Sequence, residues 1–350
     1  MTLIGISSDE HLDMYKNLSK GIVTRNGYTK RLQELVDDAK RQIDRLVDQH
    51  GIWILVRSGD LFNSRTAINA MTLSAATEIL TYRENDIRQL VIAGNHDEYL
   101  FDSRIRSIQP FIHTVKLFPD CNGTVFDDIA FYGISYTHLV DEFFTLSKTL
   151  LDEYNGAKFK ILFIHQELSD VAVDGDGTTI DSKLSMARLK EYNFDFIICG
   201  HHHFPCRSQN VIVPGSATQL NFGDAGSTRG VWILDTEKQT LKQLESTAPQ
   251  FIEILAEDLD NQELMAYIKQ EKPYVKLVHT SNTVLMDKQE KFVQDFVSSV
   301  VIKLHQPIDV GIESFDPIMT MRGMINTAPD TYDRDVLNSD FDNILKGLDR

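Results

Sequence analysis

Cysteine is scarce in this chain. There are three in 350 residues, Cys121, Cys199 and Cys206, with no Cys-x-x-Cys spacing. So odd and sparse a set excludes a disulfide framework and fits a reducing compartment. Long apolar runs are also missing; none approaches the ~18–20 residues that span a bilayer. No basic segment precedes an apolar one at the start, where Leu3-Ile4-Gly5-Ile6-Ser7 already reads as a buried strand. A secretory leader is therefore not expected, and the cytoplasm is the expected location. Basic residues are in deficit: 35 Lys and Arg stand against 51 Asp and Glu, a net charge of −16. That balance argues against a broad phosphate-binding face. It leaves room for a site holding divalent cations, because the ions themselves supply the positive charge. The excess is concentrated in residues 251–350, with 18 Asp/Glu against 10 Lys/Arg. A nucleic-acid surface would lie on the N-terminal part or on a partner.

What is present is an alternation of short apolar strands and amphipathic helices. After the strand at 3–7, residues 29–49 place Leu32, Leu35, Val36, Ala39, Ile43, Leu46 and Val47 at helical spacing, with Gly51 just past the end. Trp53-Ile54-Leu55-Val56, a helix over 66–83 and Gln89-Leu90-Val91-Ile92 continue the pattern. From about residue 114 shorter strands follow: 114–117, 123–126, 129–134, 160–164, 194–199, 211–214, 230–235 and 241–244, with a helix at 146–154. The expected fold is α/β, a two-sheet β-sandwich flanked by helices. Residues 1–250 would form this domain. Residues 251–319 read as a small α+β capping domain: strands 251–256, 275–278 and 308–313 with helices 259–270 and 287–303. Residues 320–350 read as a linker followed by an amphipathic helix at 336–349, a candidate docking segment for a partner.

Polar clusters follow five of the strands: Asp9-Glu10-His11, Gly59-Asp60, Gly94-Asn95-His96-Asp97, His165-Gln166 and Gly200-His201-His202-His203. In layered α/β folds the carboxyl ends of strands converge on one crevice, so clusters nearly 200 residues apart can meet. Two ligands one residue apart, as in Asp-x-His, can face a single ion. Mixed imidazole, carboxylate and amide donors without thiolate suit Mn²⁺, Fe²⁺ or Zn²⁺ and exclude a structural Cys-zinc site. A pair of ions ~3.5–4 Å apart would clamp a phosphoryl group and activate water. Singly the motifs are weak, since an isolated His or Gly-Asp is more often structural. Their number and order, each after an apolar strand, carry the reading. Asp174-Gly175-Asp176-Gly177 has the look of a calcium loop but lacks the later carboxylate, Ser185 standing at position 12.

Over residues 3–235 the sequence resembles the calcineurin-like metallophosphoesterases, and within them the SbcD-type nuclease subunits, phage versions included. The finer likeness rests on Ser8-Asp9-Glu10-His11-Leu12, Gly59-Asp60-Leu61-Phe62, Gly94-Asn95-His96-Asp97, Ile164-His165-Gln166, Gly200-His201-His202-His203, and Pro214-Gly215-Ser216 followed by Phe222-Gly223-Asp224. The resemblance implies one metal on Asp9, His11, Asp60 and His203, and a second on Asp60, Asn95, His165 and His201. His96 would touch the phosphate rather than a metal, Asp97 would orient its ring, and His202 would not ligate. It further implies two divalent ions, Mn²⁺ before Mg²⁺, Fe²⁺ or Zn²⁺; a homodimer; DNA as substrate; and a coiled-coil ABC-type ATPase of the SbcC type as partner. The role would be in DNA repair, recombination or replication, in the host cytoplasm for a phage-encoded chain. Two positions depart from the pattern: Asp13 replaces a usual glycine, and Asn63 replaces a usual Asp or His, which bears on substrate positioning. Two other readings stay open, a phosphatase or cyclic-nucleotide phosphodiesterase on the same scaffold, and a non-catalytic scaffold that recruits the ATPase.

Overall fold

The structure is a computed structural model that describes residues 2–99, 105–118, 121–137, 145, 156–172, 177–279, 292 and 297–302. In chain order its elements are β1 (Leu3–Ser7), α1 (Lys16–Ser19), α2 (Lys30–Asp44), β2 (Ile54–Arg57), α3 (Ala70–Thr81), β3 (Arg88–Ile92) and β4 (Lys116–Phe118). Next come β5 (Cys121–Phe126), β6 (Ile129–Ile134), β7 (Phe159–His165), α4 (Met186–Leu189), β8 (Phe196–Gly200), β9 (Cys206–Ser208) and β10 (Val211–Val213). The last are β11 (Gly230–Asp235), β12 (Thr240–Glu245), β13 (Phe251–Leu255), α5 (Gln262–Glu271), β14 (Tyr274–His279) and β15 (Val297–Ile302).

Two six-stranded sheets carry the fold, in the orders β12-β11-β1-β2-β3-β4 and β5-β6-β7-β8-β10-β9. β1 to β4 run parallel, and so do β6, β7, β8 and β10. Alternation along each strand sorts its side chains between two layers. Ile4, Ile6, Val56 and Ile92 of the first sheet meet Phe131, Ile161, Phe163 and Ile198 of the second in an apolar filling between them. The other faces are buried as well. Val91 and Ala93 pack under α2 and α3 with Leu32, Leu35, Val36 and Ile79. Leu162 and Ile164 pack under Leu184, Met186 and Leu189. Burial on both faces is why these strands read as unbroken apolar runs. The two-sheet sandwich flanked by helices is the observed fold.

Boundaries follow local chemistry. Asn69 Oδ1 accepts from Thr72 N at 3.0 Å and starts α3, four residues into the expected 66–83. Asn261 Oδ1 accepts from the amides of Glu263 and Leu264, both at 3.1 Å, and starts α5. One expectation is corrected. The helix read over 287–303 gives way to strand β15 at its end, because Val297, Val300, Val301 and Ile302 are β-branched and find β14 as a partner. The expected strand at 308–313, the linker and helix of 320–350, the helix at 146–154 and most of the Asp174–Gly177 loop lie outside the described residues.

β13, β14 and β15 form a third sheet, all parallel. A buried arginine on α2 ties it to the two-sheet layers. Arg31 on α2 donates to Gln219 O at 2.6 Å, and its guanidinium lies 5.2 Å from the Phe251 ring and 5.1 Å from the Tyr274 ring. Tyr274 Oη donates to Glu34 Oε2 at 2.7 Å. Arg31→Ala removes two desolvated cation–π contacts and strands a buried carbonyl. Urea unfolding should show a loss of about 2–3 kcal/mol; a loss under half of that would mean the third sheet is held by other contacts.

Candidate metal centre

Five carboxyl ends of parallel strands build the site: the loops after β1, β2, β3 and β8, and His165 at the end of β7. The loops after β1 and β2 run on side by side past the sheet: Asp9 N donates to Gly59 O at 3.1 Å, His11 N to Asp60 O at 3.0 Å and Leu12 N to Leu61 O at 2.8 Å. Asp9, His11 and Asp60 all adopt left-handed backbone (φ +52°, +47° and +53°), and so does His201 at +90°. Non-glycine residues hold such angles at a cost that the surrounding structure must cover, which is characteristic of functional loops. Two glycines are required by close approach. A Cβ on Gly94 would stand 2.1 Å from Asp60 Oδ1, and one on Gly59 would stand 2.4 Å from His165 Nδ1.

All seven residues expected as ligands come together, in two sets that share Asp60. In the first, His11 Nε2 lies 3.0 Å from His203 Nε2, 3.6 Å from Asp60 Oδ2 and 3.8 Å from Asp9 Oδ1. In the second, Asn95 Oδ1 lies 3.0 Å from His165 Nε2 and 2.9 Å from His201 Nδ1, while Asp60 Oδ2 lies 3.3 Å from His165 Nε2. His96 stands beside both, its ring 5.0 Å from that of His11 and nearly perpendicular to it. His96, His11 and Asp60 also form a group close enough to share an ion.

Residues 2–205 match the family model described as calcineurin-like phosphoesterase. The chain belongs to that family. It is thereby a metal-dependent phosphoester hydrolase of a family that uses a dinuclear centre. No curated protein matches the chain. Several similar solved structures are remote in sequence. GAP50, the anchor in the inner membrane complex of Plasmodium, is 10% identical, with 70% of this chain and 89% of that chain covered and a TM-score of 0.41. An archaeal phosphodiesterase is 15% identical (70% and 99% covered, TM-score 0.32), and a dimetal phosphatase from Danio rerio is 12% identical (66% and 91%, TM-score 0.39). The assignment rests on the family match.

The donor sets of this phosphoesterase fit cations. His165 Nδ1 sits 2.8 Å from Ser58 O, which can only accept, so Nδ1 carries hydrogen. When the ring is neutral, Nε2 then turns a lone pair toward the oxygens of Asn95 and Asp60. Only a positive charge reconciles these three atoms. Burial disfavours a charged His165, but Asp60 outweighs it and raises the ring to about 9, so a proton holds that place at neutral pH. Burial pushes His11 and His201 down to about 3, leaving both rings neutral. Asp60 stays well below the usual carboxylate range: burial opposes this, but His165, His11 and His96 prevail. Asp9 Oδ1 is buried with no hydrogen-bond partner, 3.9 Å from His203 Nε2. Burial raises Asp9 to about 7. An orphaned carboxylate oxygen facing two imidazoles suits a divalent cation better than any side chain present.

Around the centre, two expected contacts differ. Asp97 does not hold the His96 ring; its oxygens accept from the amides of Gly94 (2.9 Å), Phe62 (3.1 Å) and Leu61 (3.2 Å), pinning two site loops together. The ring is held by Asn63, whose carbonyl accepts from His96 Nδ1 at 2.7 Å. Asn63 and Asp13, the two departures from the family pattern, bond to each other, Nδ2 to Oδ2 at 3.0 Å. His202 is buried and turned away; its Nε2 accepts from Leu168 N at 2.8 Å. Sequence reading passed over one part of the site. Glu10, between Asp9 and His11, pairs with Arg57, which donates to Gln89 Oε1 at 2.6 Å. The signal was an arginine ending the apolar run Trp53-Ile54-Leu55-Val56.

Proposed function

We propose that this phosphoesterase is a DNA nuclease subunit of the SbcCD type, cutting phosphodiester bonds with a coiled-coil ABC-type ATPase as partner. The observation that carries the hydrolytic part is the pair of donor sets sharing Asp60, with His96 at their edge. Asp9, His11, Asp60 and His203 would hold one divalent cation and Asp60, Asn95, His165 and His201 the other. Together the ions would supply Lewis acidity to the phosphoryl oxygens and ease deprotonation of the attacking water.

The chain's own part falls mainly to His96. With Nδ1 committed to Asn63 O, only Nε2 is free to act. In its charged form Nε2 donates to a phosphoryl oxygen or protonates the leaving oxygen. Asp60 fixes the position by accepting from His96 N at 2.8 Å through the oxygen not shared with His165. His96→Ala should therefore lower turnover by about 10²–10⁴-fold with Mn²⁺ stoichiometry unchanged. Loss of metal together with activity would instead make His96 a ligand.

Support for DNA over a small ester comes from the SbcD-like motifs and from the extra sheet after the catalytic layers, which a simple phosphatase does not need. With a net charge of −16 on this chain, the ATPase would supply the DNA-gripping surface. The purified chain with Mn²⁺, alone and with such an ATPase, should degrade linear DNA faster than a small aryl phosphodiester. Turnover of the aryl ester without any cutting of DNA would return the reading to a phosphatase or cyclic-nucleotide phosphodiesterase.

A further inference from the structure

A cleft of about 620 Å³ lies beside the metal centre and takes no part in the hydrolytic machinery described above. One wall is residues 13–18, the direct continuation of the Asp9–His11 loop. The second is Ser64 and Ala67, which follow Asn63. The third is Phe222 with Phe251, the first residue of β13. Bonds join this cleft to the site. Asp13 holds Asn63, Asn63 holds His96, and Tyr15 Oη donates to His11 O at 2.6 Å. The first two walls thus end at the anchor of His96, where the reacting phosphate would lie.

Size and chemistry narrow the occupant. The volume is that of a small-molecule subsite, and an inorganic phosphate would leave it empty. The part-exposed Phe222 ring stands edge-on to Phe251 at 5.0 Å, and Phe251 stacks on Tyr274 at 4.9 Å with Arg31 behind both. That makes an aromatic platform whose backing rings are fixed in place. The opposite wall carries the exposed Lys16 and Asn17 and the part-exposed Asp13, an ammonium, an amide and a carboxylate. A flat apolar face opposite mixed donors and acceptors matches a nucleobase, which stacks through its face and hydrogen-bonds through its edge. The cleft also lies where the third sheet meets the catalytic layers, and ligand sites favour such borders.

We propose that this cleft is a nucleoside subsite, taking the base of the nucleotide whose phosphate lies at His96. The inference rests on the phosphodiesterase reading above and assigns substrate preference to residues outside the metal centre. The test is calorimetric binding of thymidine 5′-monophosphate, thymidine 3′-monophosphate and inorganic phosphate to the Mn²⁺-loaded full chain. One of the two nucleotides should bind roughly 5–150-fold tighter than phosphate, the gain expected of one stacked base. Phe222→Ala should remove that advantage by taking away the platform, and Ala67→Trp by filling the cleft from the exposed second wall. Neither nucleotide exceeding phosphate, or an advantage that survives both variants, would overturn the subsite. Failure of phosphate and of both nucleotides to bind the Mn²⁺-loaded chain would overturn the placement of the reacting phosphate at His96, and the subsite with it.

Discussion

Asp60→Asn is expected to leave the protein folded and to strip its metal centre. No other residue serves both donor sets. Its Oδ2 lies 3.6 Å from His11 Nε2 and 3.3 Å from His165 Nε2, and its Oδ1 accepts from His96 N at 2.8 Å. The asparagine keeps shape and an acceptor but removes the buried charge around which three imidazoles gather. Outer-shell changes at metal sites cost about 10–100-fold in affinity, and loss of the shared anion should cost more. Mn²⁺ titration should show at most one ion, bound more than 100-fold weaker. Hydrolysis should fall on the order of 10³-fold, since several kcal/mol of charge stabilisation disappear with the second ion. The thermal midpoint of the metal-free chain should fall, because His165, His11 and His96 hold the ionised Asp60 below the usual carboxylate range, and the substitution removes that stabilisation and leaves His165 without its partner. Retention of two ions with affinity changed less than tenfold would refute the shared role.

Much of this was legible because strands buried on both faces carry few polar residues until they end. The switch from Ile161–Ile164 to His165, or from Leu90–Ile92 to Gly94-Asn95-His96, therefore marks both the strand end and the site. Three-dimensional closure was not legible. Nothing in the spacing of Asn63 and His96 says that a backbone carbonyl, rather than the neighbouring Asp97, meets the imidazole. Loop geometry decides that, since Asp97 is drawn inward by three amides. The Asp13–Asn63 bond joins positions 50 residues apart, each of which looked like an isolated departure. The last strand was misread for a related reason. Val297–Ile302 shows helical spacing in one dimension, and only the presence of β14 beside it selects the pleat.

The Glu10–Arg57 pair leads to the largest expected effect on stability. Both side chains are buried, at 6% and 3% exposed. Glu10 Oε1 accepts from Arg57 Nη1 and from Ser7 Oγ. Arg57 Nε reaches Gln89, whose amide caps the carbonyls of Ile79 and Leu80 at 3.2 Å each. A polar chain thus runs from the metal-site loop to the end of α3. Glu10 points away from the centre while its neighbours Asp9 and His11 point into it, in the left-handed turn that both occupy. Arg57→Leu leaves a carboxylate buried without its partner, which costs about 3–5 kcal/mol. The midpoint of unfolding should drop by roughly 10 °C, at about 2–4 °C per kcal/mol for a domain of this size. Glu10→Leu with Arg57→Leu removes both charges and should recover most of that loss, since an apolar pair of similar volume replaces an ion pair at little cost. Metal affinity separates positioning from bulk stability. If Glu10 anchors the turn, the double variant regains its midpoint but still binds Mn²⁺ about 10–100-fold more weakly than the parent. Recovery of both would reduce the pair to packing, and recovery of neither would mean that the apolar replacement does not fit between α2 and the sheet.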